Sequence, residues 1–452
     1  MIRSSYGIKL IDRVSKITPW FWDFLADFSV LCSFAGVGGY YLSVNHKTRR
    51  NLYVSLSIVS AAFCIASFYF RNPFYGGVFL FLFLSSVFAL PKFRSHAADF
   101  MQSALTFSAV AYIFFDGVTA TLIGVFGVPA AMIYLLFSHG MNILSSTTDL
   151  PGVSPMLPSS RDGNLGVSFP GYDLFIPWWH ALVALFVTLV FHEGAHGVLV
   201  RRAGVRLKST GILSFLSLPI GAFVEPDEKQ LNAKSSVDRM RVYTMGSFAN
   251  LLVGSVAALL ILAAVSSLGG IISSDGMKVV GITPGYPAEG VIPTGAVIHS
   301  INGVSTKDFA LYKNLSTALK PGMNVSVNTS EGAYYLTLAE DDDEPGRGLM
   351  GVSLLEDLSV KGDIGSFLTI PMIAFALESL SWIVFFNINI GLVNLLPIVP
   401  FDGGRMLKEI SDKMRISKVN ANRVLYAVIS FTALMFLVNM IPLARMMFDF
   451  FL

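Results

Sequence analysis

Long apolar runs separated by short polar stretches dominate the chain, and most of them reach the roughly 17 to 25 residues that a helix needs to cross a hydrocarbon core. The runs are Phe28 to Leu42, Leu52 to Phe70, Phe74 to Leu90, Leu105 to Phe137, Pro177 to Val200, Val242 to Leu268, Leu380 to Leu396 and Val424 to Ile441. They predict about eight membrane helices. The run from Leu105 to Phe137 exceeds a simple span and carries Asp116 near its middle, so it reads as one tilted helix or a tight pair. Between Ser138 and Ile176 the pattern turns polar. Pro151, Pro155, Pro158 and Pro170, with several glycines, end helices and build turns, which predicts an exposed connection.

Two stretches depart from the helical pattern. From about Gly276 to Asp357, short alternating segments (Lys278 to Thr283, Val297 to Ile301, Asn324 to Asn328, Ala333 to Leu338) are separated by Gly and Pro turns and predict a compact β-rich module. Within it Asn314, Asn324 and Asn328 each begin an N-x-Ser/Thr triplet, the acceptor pattern for glycosylation. Earlier, "GILSFLSLPIGAFV" from Gly211 to Val224 places Gly and Pro in an apolar stretch too short to span, which predicts a re-entrant β-like loop, with a plain short helix as the alternative.

Composition agrees with a lipid environment. Of 452 residues, 53% are hydrophobic and 14% charged, against roughly a quarter charged in an ordinary soluble protein. The fold class expected is therefore mostly α, a polytopic membrane helical bundle. A net charge of +2 is too small to argue for nucleic acid. Cys32 and Cys64 both lie in apolar runs, which disfavours a disulfide framework or a cysteine zinc knuckle. No small-residue cleavage site follows the basic stretch Met1 to Lys16, so the amino terminus reads as retained. Clusters of Lys and Arg at 201–208, 229–241 and 405–418 are expected on the cytoplasmic side. The β-rich insert then falls outside the cytoplasm.

The sharpest chemical signal is His192-Glu193-Gly194-Ala195-His196 inside an apolar run. Histidines at i and i+4 share one helix face and can converge on a zinc ion, with Glu193 placed to take a proton from water. Two imidazoles and a carboxylate within a span are costly without such a purpose, since a central Asp alone costs roughly 2.5 to 3.5 kcal/mol on insertion scales. The isolated histidines 46, 96, 139, 180 and 299 read instead as surface, interfacial or core residues. A catalytic zinc with two histidines needs a third protein ligand and an open position. Asp402 is the best candidate, because it ends an apolar run where no carboxylate is expected and precedes Gly403-Gly404, which lets the backbone pass close to another element. Its bland alternative is a cap on the helix beginning near Arg405. Asn250 and Asn394 either bond to neighbouring helices or contact substrate and stabilise an oxyanion.

In this set of motifs the chain resembles the site-2 proteases, intramembrane zinc metalloproteases that release membrane-anchored regulators. The resemblance rests on His192, Glu193 and His196, on Gly246 and Asn250 in "GSFAN", and on Asn394, Pro397, Asp402 and Gly403. It covers about residues 177 to 410. "GAFVEPDE", from Gly221 to Glu228, is similar to the family's membrane-associated β region, and "TPGYPAEGVIPTGAVIHSINGVS", from Thr283 to Ser305, resembles the core of a PDZ domain. The resemblance implies Zn2+ held by His192, His196 and Asp402, Glu193 as general base, single-span or membrane-anchored protein substrates, and a peptide or substrate tail at the PDZ-like insert. It implies residence in a membrane, the cell membrane being the first expectation.

The expected organisation is then an N-terminal membrane module of about four spans at 1–140, an extracytoplasmic loop at 141–176, the first half of a catalytic core at 177–268, the PDZ-like domain at 276–357, the second half at 366–410, and a cytoplasmic segment with the last span at 411–452. The first 140 residues match no family pattern. A catalytically inactive scaffold presenting the PDZ-like module is the alternative, and the intact Glu193 argues against it. A metal transporter would need polar residues along several spans, and a membrane oxidase would need several histidine boxes where this chain has one.

Overall fold

The computed structural model describes residues 2–43, 46–89, 95–215, 218–361, 369–413 and 416–451. The chain opens with a short strand, β1 (Ile2–Ser4), and an amphipathic helix, α1 (Ser5–Lys16), before the apolar helices α2 (Pro19–Leu42) and α3 (His46–Tyr69). The next two expected spans are broken. The run from Phe74 gives α4 (Pro73–Leu84) and a π turn at Ser85–Ala89; Leu90, its expected end, lies outside the described residues. The run from Leu105 to Phe137 is neither one tilted helix nor a tight pair. It contributes to three helices, α5 (His96–Ala111), α6 (Gly117–Phe126) and α7 (Val128–Leu144). Asp116 is the physical reason, because its carboxylate accepts hydrogen bonds from the N–H groups of Val118 at 2.9 Å and Thr119 at 3.1 Å and caps α6. Gly127 and Pro129 then end one helix and start the next. Among the described residues, 6 helical segments are long and apolar enough to cross a membrane, fewer than the pattern predicts because of these breaks.

The expected exposed connection contains an antiparallel meander, β2 (Leu157–Arg161), β3 (Asn164–Ser168) and β4 (Phe175–Pro177). Val167 and Ile176 are buried there against Ala181, Ala184 and Phe386, so part of this loop is anchored in the core. The strands are too short to leave a legible alternation.

After α8 (Trp178–Arg202) come β5 (Leu207–Phe215) and β6 (Leu218–Pro226), the short helix α9 (Glu228–Asn232) and α10 (Ser236–Ile271), 36 residues long. The stretch expected to be β-like is an antiparallel hairpin, with Thr210 opposite Val224. Residues 216 and 217 lie outside the described residues. Strand β1 pairs with the far side of β5, giving the order β1-β5-β6. Among the described residues the edge strands of this sheet are therefore β1 and β6.

The chain divides into two units, Met1–Ala258 with Ser379–Leu452, and Leu259–Glu378. The second is the β-rich insert. Its strands are β7 (Ile272–Ile282), β8 (Val297–Ile301), β9 (Val304–Ser305), then α11 (Phe309–Ala318), β10 (Asn324–Thr329), β11 (Gly332–Thr337), β12 (Ala339–Glu340), β13 (Gly348–Leu349) and β14 (Val352–Val360). The main sheet runs β11-β10-β8-β7-β14 with β9 beside β8, all antiparallel. Val279, Ile298, Val325 and Val327 form its core, and Tyr312 and Leu315 of α11 pack against it.

The first unit closes with α12 (Ile370–Leu395), α13 (Asp402–Asp412), α14 (Lys418–Val438) and α15 (Ile441–Phe451). Val198 and Leu199 of α8 share a core with Met245 and Phe248 of α10, and with Leu395 and Met406. Phe186, Val190, Val256 and Leu434 point outward and are exposed, as helices facing lipid require. Polar links tie the amino-terminal helices to this core. Asp12 pairs with Arg201, Asp23 with Arg202 at 2.9 Å and the fully buried Asp27 with Arg241 at 2.6 Å. Ser29 and Thr244 share a hydroxyl hydrogen bond of 2.7 Å. The amino-terminal helices thus brace α8 and α10.

Candidate metal centre

One turn of α8 places His192 and His196 on the same face, and their Nε2 atoms lie 3.2 Å apart. Helix α13 begins at Asp402, whose Oδ2 lies 2.9 Å from His196 Nε2 and 3.3 Å from His192 Nε2. Asp402 is the first residue of α13 rather than its N-cap, which is Phe401, and its carboxylate faces the two imidazoles. Among the described residues these three form the single group of His, Cys, Asp or Glu able to hold a metal ion.

Two ligands held 2.0 to 2.1 Å from a tetrahedral zinc stand roughly 3.3 Å apart, so the observed spacing of 2.9 to 3.3 Å suits one ion. Hydrogen bonds behind the rings support the same conclusion. His196 Nδ1–H donates to the carbonyl oxygen of Val242 at 2.7 Å, which fixes the tautomer with the Nε2 lone pair facing the centre. Behind His192 the amide of the fully buried Asn250 lies 3.1 Å from Nδ1, with Asn250 Oδ1 left without a partner. Nitrogen and oxygen of an amide exchange places on a half turn. Turned so, Oδ1 gains His192 Nδ1–H as its donor, and both imidazoles present lone pairs to one point.

Two glycines make the approach possible. A Cβ on Gly246 of α10 would stand 2.2 Å from His196 Nε2 and 2.8 Å from His192 Nε2, so any side chain there crowds both candidate ligand atoms. A Cβ on Gly403 would meet the carbonyl oxygens of Leu395 and Leu396 at 2.4 and 2.3 Å, which is the close backbone approach that brings Asp402 in.

Glu193 points toward the hairpin, and its Oε2 accepts a hydrogen bond from the Val224 N–H at 3.0 Å. A polar cavity of about 280 Å³ is lined by His192, Glu193, His196, Val224, Asn394 and Asp402, among others. Asn394 thus lies on the cavity wall, with its amide donating to the Ile390 carbonyl of its own helix. Asn250 lies behind His192 instead. Of the isolated histidines, His180 shares a hydrogen bond of 2.9 Å with Ser379 and His299 one of 2.7 Å with the Asp275 carbonyl. Sequence reasoning missed Val224 and Val242, which act through backbone atoms and leave no mark in residue type. The "GSFAN" motif pointed to Gly246 without indicating its steric role.

A family model described as Peptidase family M50 matches residues 180–439, more than half of the chain, and the match contains every candidate ligand. An uncharacterised protein of Methanocaldococcus jannaschii is 26% identical over 281 residues, which cover 62% of this chain and 69% of that protein. Among solved structures, the PDZ domain of an SdrC-like protein from Listeria monocytogenes is 24% identical, covers 18% of this chain and 88% of its own, and has a TM-score of 0.17.

Proposed function

The chain belongs to peptidase family M50, the site-2 proteases, and on that premise we propose that it is a zinc metalloendopeptidase hydrolysing peptide bonds within or near the spans of membrane-anchored proteins. The observation that carries the reading is the meeting of His192 Nε2, His196 Nε2 and Asp402 Oδ2 within hydrogen-bond distance of one another. These three atoms would hold the ion. Zinc bound there supplies the Lewis acidity that makes water a nucleophile at neutral pH. Glu193 takes the proton of the attacking water and returns it to the amine nitrogen as the peptide bond breaks. Asn394, on the cavity wall, is assigned to substrate contact, whereas Asn250 is assigned to holding His192.

A peptide bond in a membrane helix is shielded by its own hydrogen bonds, so cutting requires local unwinding. The free β6 edge is suited to take an unwound strand by main-chain pairing. The β-rich insert is assigned, as a PDZ-like module outside the cytoplasm, to docking a substrate tail or filtering substrates by size. The membrane of residence is assigned as the cell membrane. Co-expression with tagged single-span proteins tests the reading. Wild type should release fragments and Glu193→Gln should leave the same substrate intact and bound; equal cleavage by both would refute it.

A further inference from the structure

The Val224 N–H has two claimants. In the β5–β6 register Val224 stands opposite Thr210, yet its N–H donates to Glu193 and so points away from β5, along the free edge of the sheet. With β1 on the far side of β5, β6 is the edge strand beside Glu193, and a strand added on that side of the sheet pairs with it. Antiparallel and parallel ladders alike draw on the outward N–H groups, and this one opens on the same cavity as His192, His196 and Asp402. The Glu193 carboxylate therefore occupies, in the resting protein, the place of an acceptor on an incoming main chain.

We propose that Val224 is a positioning residue whose N–H is exchanged between Glu193 and a carbonyl oxygen of the substrate strand, so that docking of the substrate releases Glu193 toward the scissile bond. The inference rests on the hydrolytic reading above and adds to it an order of events. An empty edge tethers the carboxylate to β6. A paired edge frees it, and only then is the carboxylate able to swing to the water. No bond other than hydrogen bonds changes in this step, and the Val224 N–H has one acceptor before and after it.

The test uses the full chain, loaded with zinc and reconstituted in vesicles with a single-span model protein. Proline at an outward-facing edge position removes the donor without removing a bond to the neighbouring strand. Val224→Pro should raise KM about tenfold, the worth of one main-chain hydrogen bond to a strand, while kcat holds or rises. Val224→Ala, which keeps the N–H, should shift KM less. Equal effects of the two variants, a fall in kcat at unchanged KM, or no change with Pro would each overturn the proposal. Should Val224→Pro fail to retain zinc, residue-resolved amide exchange decides. Glu193→Ala should speed exchange at Val224, and binding of the model substrate to Glu193→Gln should slow it again; indifference to either overturns the proposal. Cleavage by Glu193→Gln at the wild-type rate would instead remove the hydrolytic reading itself, whatever Val224 does.

Discussion

Nδ1 of His196 donates a hydrogen bond to the carbonyl oxygen of Val242 over 2.7 Å, so a backbone atom of α10 sets the orientation of a ring on α8. The neighbouring Arg241 is paired with the fully buried Asp27 of α2. A chain of contacts therefore leads from the amino-terminal helices to a candidate ligand.

Breaking that chain should cost stability. Asp27 also accepts a hydrogen bond from Asn51 at 2.7 Å, and removing one partner of a buried ion pair costs about 3 to 5 kcal/mol. Asp27→Ala should lower the unfolding temperature in detergent and weaken zinc retention. Replacing both partners by apolar residues, Asp27→Leu with Arg241→Met, should recover much of the loss. Thermal unfolding with metal content on the same samples checks it, and an Asp27→Ala protein as stable as wild type contradicts the brace.

Gly246 packs directly against both candidate ligand rings. The Cβ of Gly246→Ala would stand 2.2 Å from His196 Nε2, and overpacking by one methyl costs about 1 to 3 kcal/mol. Zinc affinity, measured by competition with a chelator, should fall about tenfold or more, with helical content preserved. Unchanged affinity would mean that the ion binds elsewhere.

Asn250 acts behind the ligand. Loss of a partner in this position weakens metal binding by about 10- to 100-fold, so Asn250→Ala should bind zinc more weakly and keep its KM for substrate. A raised KM at full zinc occupancy would transfer Asn250 to substrate contact.

The insert has a core of its own, built on Val279, Ile298 and Val327. Deleting residues 276–357 and joining the ends by a short flexible linker should leave zinc content unchanged and alter which substrates are cut. Unchanged substrate selection would remove the filter and docking roles.

Much of this site is legible in the sequence because it is built of unusual residues in unusual places. His192 and His196 announce themselves by a one-turn spacing inside an apolar run, and Asp402 by being a carboxylate at the end of another. Gly and Pro between Gly211 and Val224 mark the hairpin, because a short apolar stretch interrupted by both makes a poor span. The division of the Leu105 to Phe137 run was hidden, since hydropathy adds apolar residues across a break and Asp116 caps a helix as readily as it hides in one. Strand β1 was hidden for another reason, being three residues whose pairing with β5 is set by tertiary contact. The roles of Val224 and Val242 belong to main-chain atoms that every residue but proline at the nitrogen carries.

The central claim is that two imidazoles one turn apart and an aspartate 206 positions beyond His196 hold one zinc ion. Metal content of the purified protein tests it most directly, compared across wild type, Glu193→Gln and Asp402→Ala at matched concentration. The account predicts one zinc per chain in wild type and in Glu193→Gln, and its loss from Asp402→Ala. A full equivalent of zinc retained by Asp402→Ala would contradict it.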